Sequence, residues 1–296
     1  ARGHAAAAHP SRPEAVAFAR RPGSYALLVD GARGQVLARL TPPTGRQFNG
    51  HGCFSADGAV LYTSEQVAEG SAGRIGLWDA VTWQRIGEVS TGGIGPHDLK
   101  RRVDGGLVVA NGGIETDATD RTKLNIPTMR PSLAWLSAEG EMQEQVELDA
   151  ALRQNSIRHL ALLPDGGVGF AMQWEGDPDE VVPLMGAHRR GAAPVLFAAP
   201  ETQAGAMKGY AGSIALDGAG ERLAMTSPPG GVVQVFALDG SFVETLWRAD
   251  ASGVAPAAEG FVLTDGSGGV SLIAPEGMVA LGQEALAWDN HLVALG

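Results

Sequence analysis

The sequence predicts an all-β protein, a seven-bladed β-propeller formed by a single domain over residues 1–296. Short apolar strands separated by Asp- and Gly-rich turns recur about every 40 to 50 residues, the usual period of a propeller blade. The 42 Gly and 17 Pro residues indicate many turns without a collagen-like repeat. Helical periodicity is confined to two short candidates, residues 147–154 and 201–205.

The second copy of the repeat is the clearest. It reads HGCFS (51–55), a turn at Ala56-Asp57-Gly58, then VLYTSE (60–65), RIGLWD (74–79) and QRIGEVS (84–90). An earlier copy covers residues 2–40, and later copies begin at residues 97, 159, 213 and 253. Their strands alternate or run apolar over four to seven residues and end at Gly, Pro, Asp or Asn, as strand signals require. The fourth copy reads HLALL (159–163), VGFAMQ (168–173) and, as its third strand, PVLFAA (194–199); its fourth strand is not identified.

The end of the chain predicts an incomplete seventh blade. EALAWD (284–289) and HLVALG (291–296) supply two strands. A propeller ring closes so that no sheet edge is left open. We therefore expect residues upstream of Ala1 in the natural protein to supply the missing strands.

Composition excludes several classes of partner. The net charge of −11 opposes binding to nucleic acid, which requires a basic surface. No apolar run has the roughly 18 to 20 residues needed to cross a bilayer. Cys53 is the single cysteine, so the chain has no internal disulfide, and we expect it to be a buried small hydrophobe rather than a nucleophile.

Four histidines fall near the starts of predicted inner strands, where side chains would converge at one mouth of a propeller. They are His4, His51, His97 and His159. Neutral imidazole binds transition metals, and Asp98 adds a carboxylate. Alternatively, each imidazole hydrogen-bonds the backbone of a neighbouring blade and fixes the spacing between blades. Both interpretations remain open at this point.

The other histidines are not assigned to a binding site. His188-Arg189-Arg190 is predicted to be an exposed basic tip, and neither His9 nor His291 is assigned a role.

Arginines precede three of the inner-strand histidines, at Arg2, Arg46 and Arg158. These cations favour an anionic ligand, or internal Arg–Asp pairs, over an isolated metal ion. The long connection 112–130 carries several side-chain oxygens, which either bind a hard cation or satisfy the loop backbone. The predicted ligand-binding set is His4, His51, His97, Asp98, Arg158, His159, Arg46, Asn111, Asn125 and Arg130. No hydrolase elbow, phosphate loop or HExxH motif occurs, so no catalytic residue is predicted.

A set of ordered motifs also resembles a known family. They are FARRPGSYALLVD (18–30), FNGHGCFSADG (48–58), GPHD (95–98), VANGGIETD (109–117), KLNIPTMRPSL (123–133), SIRHLAL (156–162), GYAGSIALD (209–217) and TSPPGG (226–231). Along nearly its full length the chain resembles the DUF1513 family of exported bacterial seven-bladed propellers of unknown function. The resemblance implies WD40/YVTN-like repeats, a periplasmic location reached through a twin-arginine (Tat) signal before Ala1, and association with imelysin-like and di-haem proteins of iron-uptake clusters.

Together these observations predict a non-enzymatic periplasmic binding protein associated with iron uptake. Its partner would be a small anion, a metal chelate or a periplasmic protein such as an imelysin-like or di-haem protein; the metal and any cofactor stay open. The alternative is a metal-dependent hydrolase resembling propeller lactonases, in which a divalent ion activates water. Lactonases need carboxylates on several inner strands, and here only Asp98 is acidic, which favours the binding role.

Overall fold

The structure is a computed structural model that describes residues 3–293. Within that range the chain forms six four-stranded sheets, and in each sheet it passes through four antiparallel strands in sequence order. This arrangement is a propeller of six blades, so the all-β prediction is confirmed and the predicted count of seven blades is wrong. No helix among the described residues is both long and apolar enough to cross a membrane.

The first three sheets lie in the amino-terminal half. Sheet 1 has β1 (Gly3–Ala8), β2 (Glu14–Ala19), β3 (Ala26–Asp30) and β4 (Gln35–Leu40); sheet 2 has β5 (Arg46–Phe54), β6 (Val60–Val67), β7 (Ala72–Asp79) and β8 (Arg85–Ile94); sheet 3 has β9 (Pro96–Arg101), β10 (Leu107–Asn111), β11 (Ser132–Leu136) and β12 (Met142–Glu147).

The other three sheets follow in the same pattern. Sheet 4 has β13 (Asn155–Leu162), β14 (Val168–Trp174), β15 (Met185–His188) and β16 (Val195–Phe197); sheet 5 has β17 (Ser213–Leu216), β18 (Arg222–Ser227), β19 (Val232–Ala237) and β20 (Phe242–Trp247); sheet 6 has β21 (Ala251–Ala257), β22 (Gly260–Asp265), β23 (Gly269–Ala274) and β24 (Gly277–Gln283). The helical segments are α1 (Glu201–Ala204) and 3₁₀ turns at Ile126–Thr128, Ala150–Leu152 and Gly205–Met207.

The seventh blade was predicted from two apolar stretches, residues 284–289 and 291–296, whose described residues are not strands. Residues 284–293 contain no strand, and 294–296 lie outside the described residues. The segment instead lies along the last sheets: the backbone of Glu284 and the indole of Trp288 both donate to the carbonyl of Gly268, at 2.9 Å and 3.2 Å. Asn290 donates to the hydroxyl of Tyr210 at 3.1 Å. The apolar residues of this irregular segment gave the same sequence pattern as a strand pair.

Sheet 4 is completed by a strand that the sequence pattern did not reveal. β15 is MGAH, composed of residues with little preference for strands. PVLFAA, expected as the third strand, contains the fourth, β16.

The described residues fall into two compact units, one up to Arg158 and one from His159 to Leu292. In each unit, aromatic side chains fill the space between neighbouring sheets. Phe18 of sheet 1 and Phe48 of sheet 2 have ring centroids 5.9 Å apart, and both are buried. Phe197 of sheet 4 and Phe236 of sheet 5 have centroids 6.0 Å apart. These contacts hold neighbouring sheets of the same unit together.

Candidate functional site

Three of the predicted histidines meet in the amino-terminal unit. His4, His51 and His97 lie on β1, β5 and β9, the first strands of sheets 1, 2 and 3. The ring of His51 lies 4.9 Å from that of His4 and 4.8 Å from that of His97, and the rings of His4 and His97 are 5.4 Å apart. The Nε2 atoms of His4 and His51 are 3.2 Å apart. We call these three residues the histidine cluster.

The glycines of the FNGHG motif allow the cluster to form. The pairing of β5 with β6 shifts register between Phe48 and Gly52, a bulge that carries His51. Gly50 has φ of +100°, and a Cβ there would overlap the ring of His4. Only glycine meets both demands. Asn49 then donates to the carbonyl of Pro96 at 2.7 Å, which ties the bulge to the start of β9 beside His97.

A carboxylate orients the central imidazole. Oδ1 of Asp98 lies 3.3 Å from Nδ1 of His51, and both side chains are buried. Nζ of Lys100 lies 3.2 Å from the same oxygen and 3.1 Å from the other. In a neutral imidazole whose Nδ1 faces a carboxylate, Nδ1 carries the proton and Nε2 presents its lone pair. That lone pair points toward His4.

Two buried histidines outside this cluster, His9 and His188, make a different kind of contact. Nε2 of His9 lies 3.1 Å from the carbonyl of Gly58, and Nε2 of His188 lies 2.9 Å from that of Ala192. These two imidazoles stabilise turns through their contacts with backbone carbonyls. His188 is 1% exposed, so the prediction that it belongs to an exposed tip is wrong.

The fourth predicted histidine belongs to the other unit. His159, next to the buried Arg158 on β13, has its ring 4.7 Å from that of His291. His291 was given no role by the sequence reasoning. The sequence did contain a signal for a role of His291, since HLVAL starting at residue 291 resembles HLAL starting at residue 159.

Several predicted ligand residues are engaged in the fold. Arg46 pairs with Glu88, its Nη2 lying 2.7 Å from the carboxylate, and Arg130 pairs with Glu147 at 2.7 Å. Arg2 lies outside the described residues. Asn111 donates to the carbonyl of Thr91 at 3.0 Å. The guanidinium groups at 46 and 130 therefore form internal ion pairs with glutamates, whereas the internal pairs expected for Arg46 were with aspartates.

Asn125 and the loop acids satisfy backbone groups. Oδ1 of Asn125 accepts from the backbone of Glu115 at 2.7 Å, and its Nδ2 donates to the carbonyl of Gly113 at 3.0 Å. Oδ1 of Asp117 accepts from the backbone and hydroxyl of Thr119 at 2.7 and 2.6 Å, and these hydrogen bonds lower the pKa of Asp117. The side-chain oxygens of Asn125 and Asp117 thus close turns of the loop.

Lys100 is a site residue that the sequence reasoning missed. It stands two residues after Asp98 on β9, and residues i and i+2 of a strand share a face. The alternation in HDLK was the available signal.

A family model described as "Protein of unknown function (DUF1513)" matches residues 1–295. The chain belongs to the DUF1513 family. No protein with a curated function matches this DUF1513 chain.

Two solved structures share the fold. Kuenenia stuttgartiensis hydrazine synthase is 14% identical with a TM-score of 0.67, and the match covers 96% of this DUF1513 chain and 84% of that one. A streptogramin B lyase is 13% identical with a TM-score of 0.66, at the same two coverages. At these sequence identities, the similarity shows a shared fold and nothing more.

Proposed function

We propose that this DUF1513 protein is a binding protein whose histidine cluster holds a divalent transition-metal ion. The supporting observation is the separation of 3.2 Å between Nε2 of His4 and Nε2 of His51. Two imidazole nitrogens on one tetrahedral zinc, each at about 2.0–2.1 Å from it, are separated by roughly 3.4 Å. The pair is therefore spaced for a shared ion with an adjustment of a few tenths of an ångström.

His97 supplies the third imidazole. It presents a ligand nitrogen within 4.8 Å of one on His51. Imidazole ligands suit zinc, copper, nickel and iron, whereas calcium and magnesium prefer oxygen. The ion is thus a first-row transition metal.

Asp98 acts through His51. A metal-bound histidine commonly donates its other ring N–H to a carboxylate, which fixes the ring and raises its basicity, and loss of that partner costs about 10- to 100-fold in metal affinity. Lys100 offsets the negative charge of the buried carboxylate. With its oxygens beside His51 and Lys100, Asp98 is a positioning residue rather than a metal ligand.

The metal replaces the simple anion as the favoured ligand because two arginines of the predicted ligand-binding set are paired elsewhere. Arg46 and Arg130 lie against glutamates. A periplasmic location and a role beside iron-uptake proteins remain part of this proposal, supported by the resemblance to exported relatives. Recovery of the natural gene product in the cytosolic fraction of fractionated cells would contradict the location.

The test is calorimetric titration of the purified chain with zinc. We expect wild type to bind one equivalent, His51→Ala to lose the binding, and Asp98→Asn to bind about 10- to 100-fold more weakly. The matched control is His188→Gln, which changes a buried histidine bonded to a carbonyl. It should bind zinc as wild type does.

Circular dichroism and thermal melting establish that each variant is folded. His4→Ala provides a second ligand variant, because His4 is only partly buried. Absence of zinc uptake by wild type, or unchanged uptake by folded His51→Ala and His4→Ala, would refute the proposal.

A further inference from the structure

The outer edges of sheets 1 and 6 differ in charge from those of the other sheets. In the described part of the chain, the fourth strand of each sheet pairs on one side only. Charged side chains and short strands are the usual protection of such an edge against pairing with another chain. β8, β12 and β20 carry glutamates, and β16 has three residues. β24 carries no charged side chain, and β4 carries Arg39 but no acidic residue.

Both edges expose apolar side chains at their centres. On β4, Val36 is 59% and Leu37 is 48% exposed, and on β24, Val279 is 56% and Leu281 is 58% exposed. The pairing of each strand with its neighbour skips the leucine, a bulge that re-aims its side chain. A free strand edge with exposed apolar side chains is a site for pairing with another strand.

The charges that flank the two edges are opposite. Arg33 lies just before β4 and Arg39 lies near its end, and both are exposed. The guanidinium of Arg39 lies 4.4 Å from the ring centroid of Tyr25, which holds it at this end of the strand. Glu276 and Glu284 lie directly before and after β24, and both are exposed.

The surrounding sequence carries the same two signs. Residues 1–50 contain seven arginines and two acidic residues, whereas residues 251–296 contain five acidic residues and neither Lys nor Arg. In a chain whose net charge is −11, sheet 1 is thus built from a basic segment and sheet 6 from an acidic one. Patches of opposite charge attract each other and fix the register of a contact.

One antiparallel register matches the apolar centres of the two edges. Pairing the six residues of β4 with residues 277–282 of another copy places Val36 opposite Leu281, with Val279 as its diagonal neighbour. Side chains that are directly or diagonally opposite on paired strands contact each other. The exposed apolar side chains of each edge therefore cover those of the other.

The same register matches the charges. Arg33 lies opposite Glu284, and Arg39 lies diagonally from Glu276. Pairing of like edges has the contrary effect: two β24 strands centred on Ala280 place Glu276 opposite Glu284, and two β4 strands place Arg33 opposite Arg39. Like charges directly opposite each other are destabilising, so β4 and β24 suit each other better than either suits itself.

We propose that copies of this chain associate head to tail, with β4 of one copy pairing antiparallel with β24 of the next. The contact extends a sheet of one copy by a strand of another. It involves no residue of the histidine cluster and does not depend on the metal proposal.

Sedimentation velocity of the purified chain over a series of concentrations measures the association. We expect wild type to form species larger than the monomer as the concentration rises. Added salt should weaken them, because the flanking charges are exposed and therefore screened. Circular dichroism and thermal melting establish that each variant is folded.

Charge reversal at both ends of one edge tests the pairing. The β4 variant combines Arg33→Glu with Arg39→Glu, and the β24 variant combines Glu276→Arg with Glu284→Arg. Each should weaken association by about tenfold, because two exposed attractions become repulsions. Mixed in equal amounts, the two variants should associate as wild type does, because opposite charges again meet wherever β4 of one variant lies against β24 of the other.

Two matched controls separate this contact from general effects. Lys208→Glu with Arg190→Glu reverses two exposed cations outside the edges and should leave association unchanged. Leu281→Lys places a charge at the centre of β24 and should abolish association. Leu286→Lys, a change of the same kind at a 47% exposed residue beyond the strand, should not.

Four outcomes would overturn the proposal. They are a wild-type chain that stays monomeric at every concentration, unchanged association of the β4 variant, failure of the mixed variants to associate, and full association of folded Leu281→Lys. Unchanged association of the β4 variant with loss in the β24 variant would indicate a contact between two β24 edges instead.

Discussion

Replacing Gly76 by alanine should break a buried charge network in sheet 2. Gly76 lies on β7, and a Cβ there would overlap the carboxylate of Glu65, which is fully buried. That carboxylate accepts from the hydroxyl of Thr63 at 2.7 Å and from the indole of Trp78 at 3.3 Å. It also pairs with Arg85 at 2.6 Å. The added methyl group forces the carboxylate away from these partners.

The expected loss of stability follows from the contacts broken. Breaking one side of a buried ion pair costs about 3–5 kcal/mol, because it leaves a buried charge without compensation. Alanine recovers about 0.5–1 kcal/mol relative to glycine in a strand. We therefore expect Gly76→Ala to reduce the free energy of unfolding by about 2–4 kcal/mol. Backbone strain adds nothing, since Gly76 is not among the positive-φ glycines.

Urea denaturation followed by tryptophan fluorescence measures this loss. Gly87→Ala is the matched control, because Gly87 lies on the neighbouring strand β8 and a Cβ there would meet nothing within 4 Å. The control should be as stable as wild type or slightly more stable. Equal stability of Gly76→Ala and Gly87→Ala would show that the Glu65 network does not have the assigned role.

Three further predictions concern single side chains. The hydrogen bond from Arg46 lowers the pKa of Glu88 from 4.5 to about 2, and burial opposes this shift while Arg85 assists it. The ionised carboxylate therefore stabilises the fold above pH 4.5, and this stabilisation is lost as the pH falls toward 2. In an acid titration of stability, the advantage of wild type over Glu88→Gln should shrink across that range. Burial raises the pKa of the Cys53 thiol to about 12, so a colorimetric disulfide reagent at pH 8 should react with it only after unfolding, and rapid labelling of the native protein would contradict this. Asn125→Ala should lower the free energy of unfolding by about 1–3 kcal/mol in a urea titration, because two loop hydrogen bonds are lost; an unchanged midpoint would show that the loop does not depend on them.

Most of the strands could be predicted from the sequence, but the number of sheets could not. Most of the 24 strands among the described residues come from period-two apolar patterns between Gly- and Asp-rich turns, which depend on local chemistry. The count of blades depended on residues 284–296, and the described part of this segment, 284–293, forms no strand. β15 was missed for the opposite reason, because its small residues pair as a strand through their tertiary context.

The histidines of the site could be predicted from the sequence, but the charged residues that contact them could not. Placement near the starts of first strands identified His51 and His97, and the structure brings both together with His4. The sequence neighbours of these histidines did not show which cationic side chains would face them, because successive residues of a strand point to opposite faces. Arg46 therefore pairs within its own sheet, while Lys100, two residues after Asp98, reaches the site.

X-ray absorption spectroscopy of the zinc-loaded chain tests the central claim most directly. A metal held by the histidine cluster gives a first shell of imidazole nitrogen at about 2.0–2.1 Å. The account predicts this shell in wild type and in His188→Gln, and its loss in His51→Ala. A shell of oxygen alone, or an unchanged nitrogen shell in His51→Ala, would contradict it.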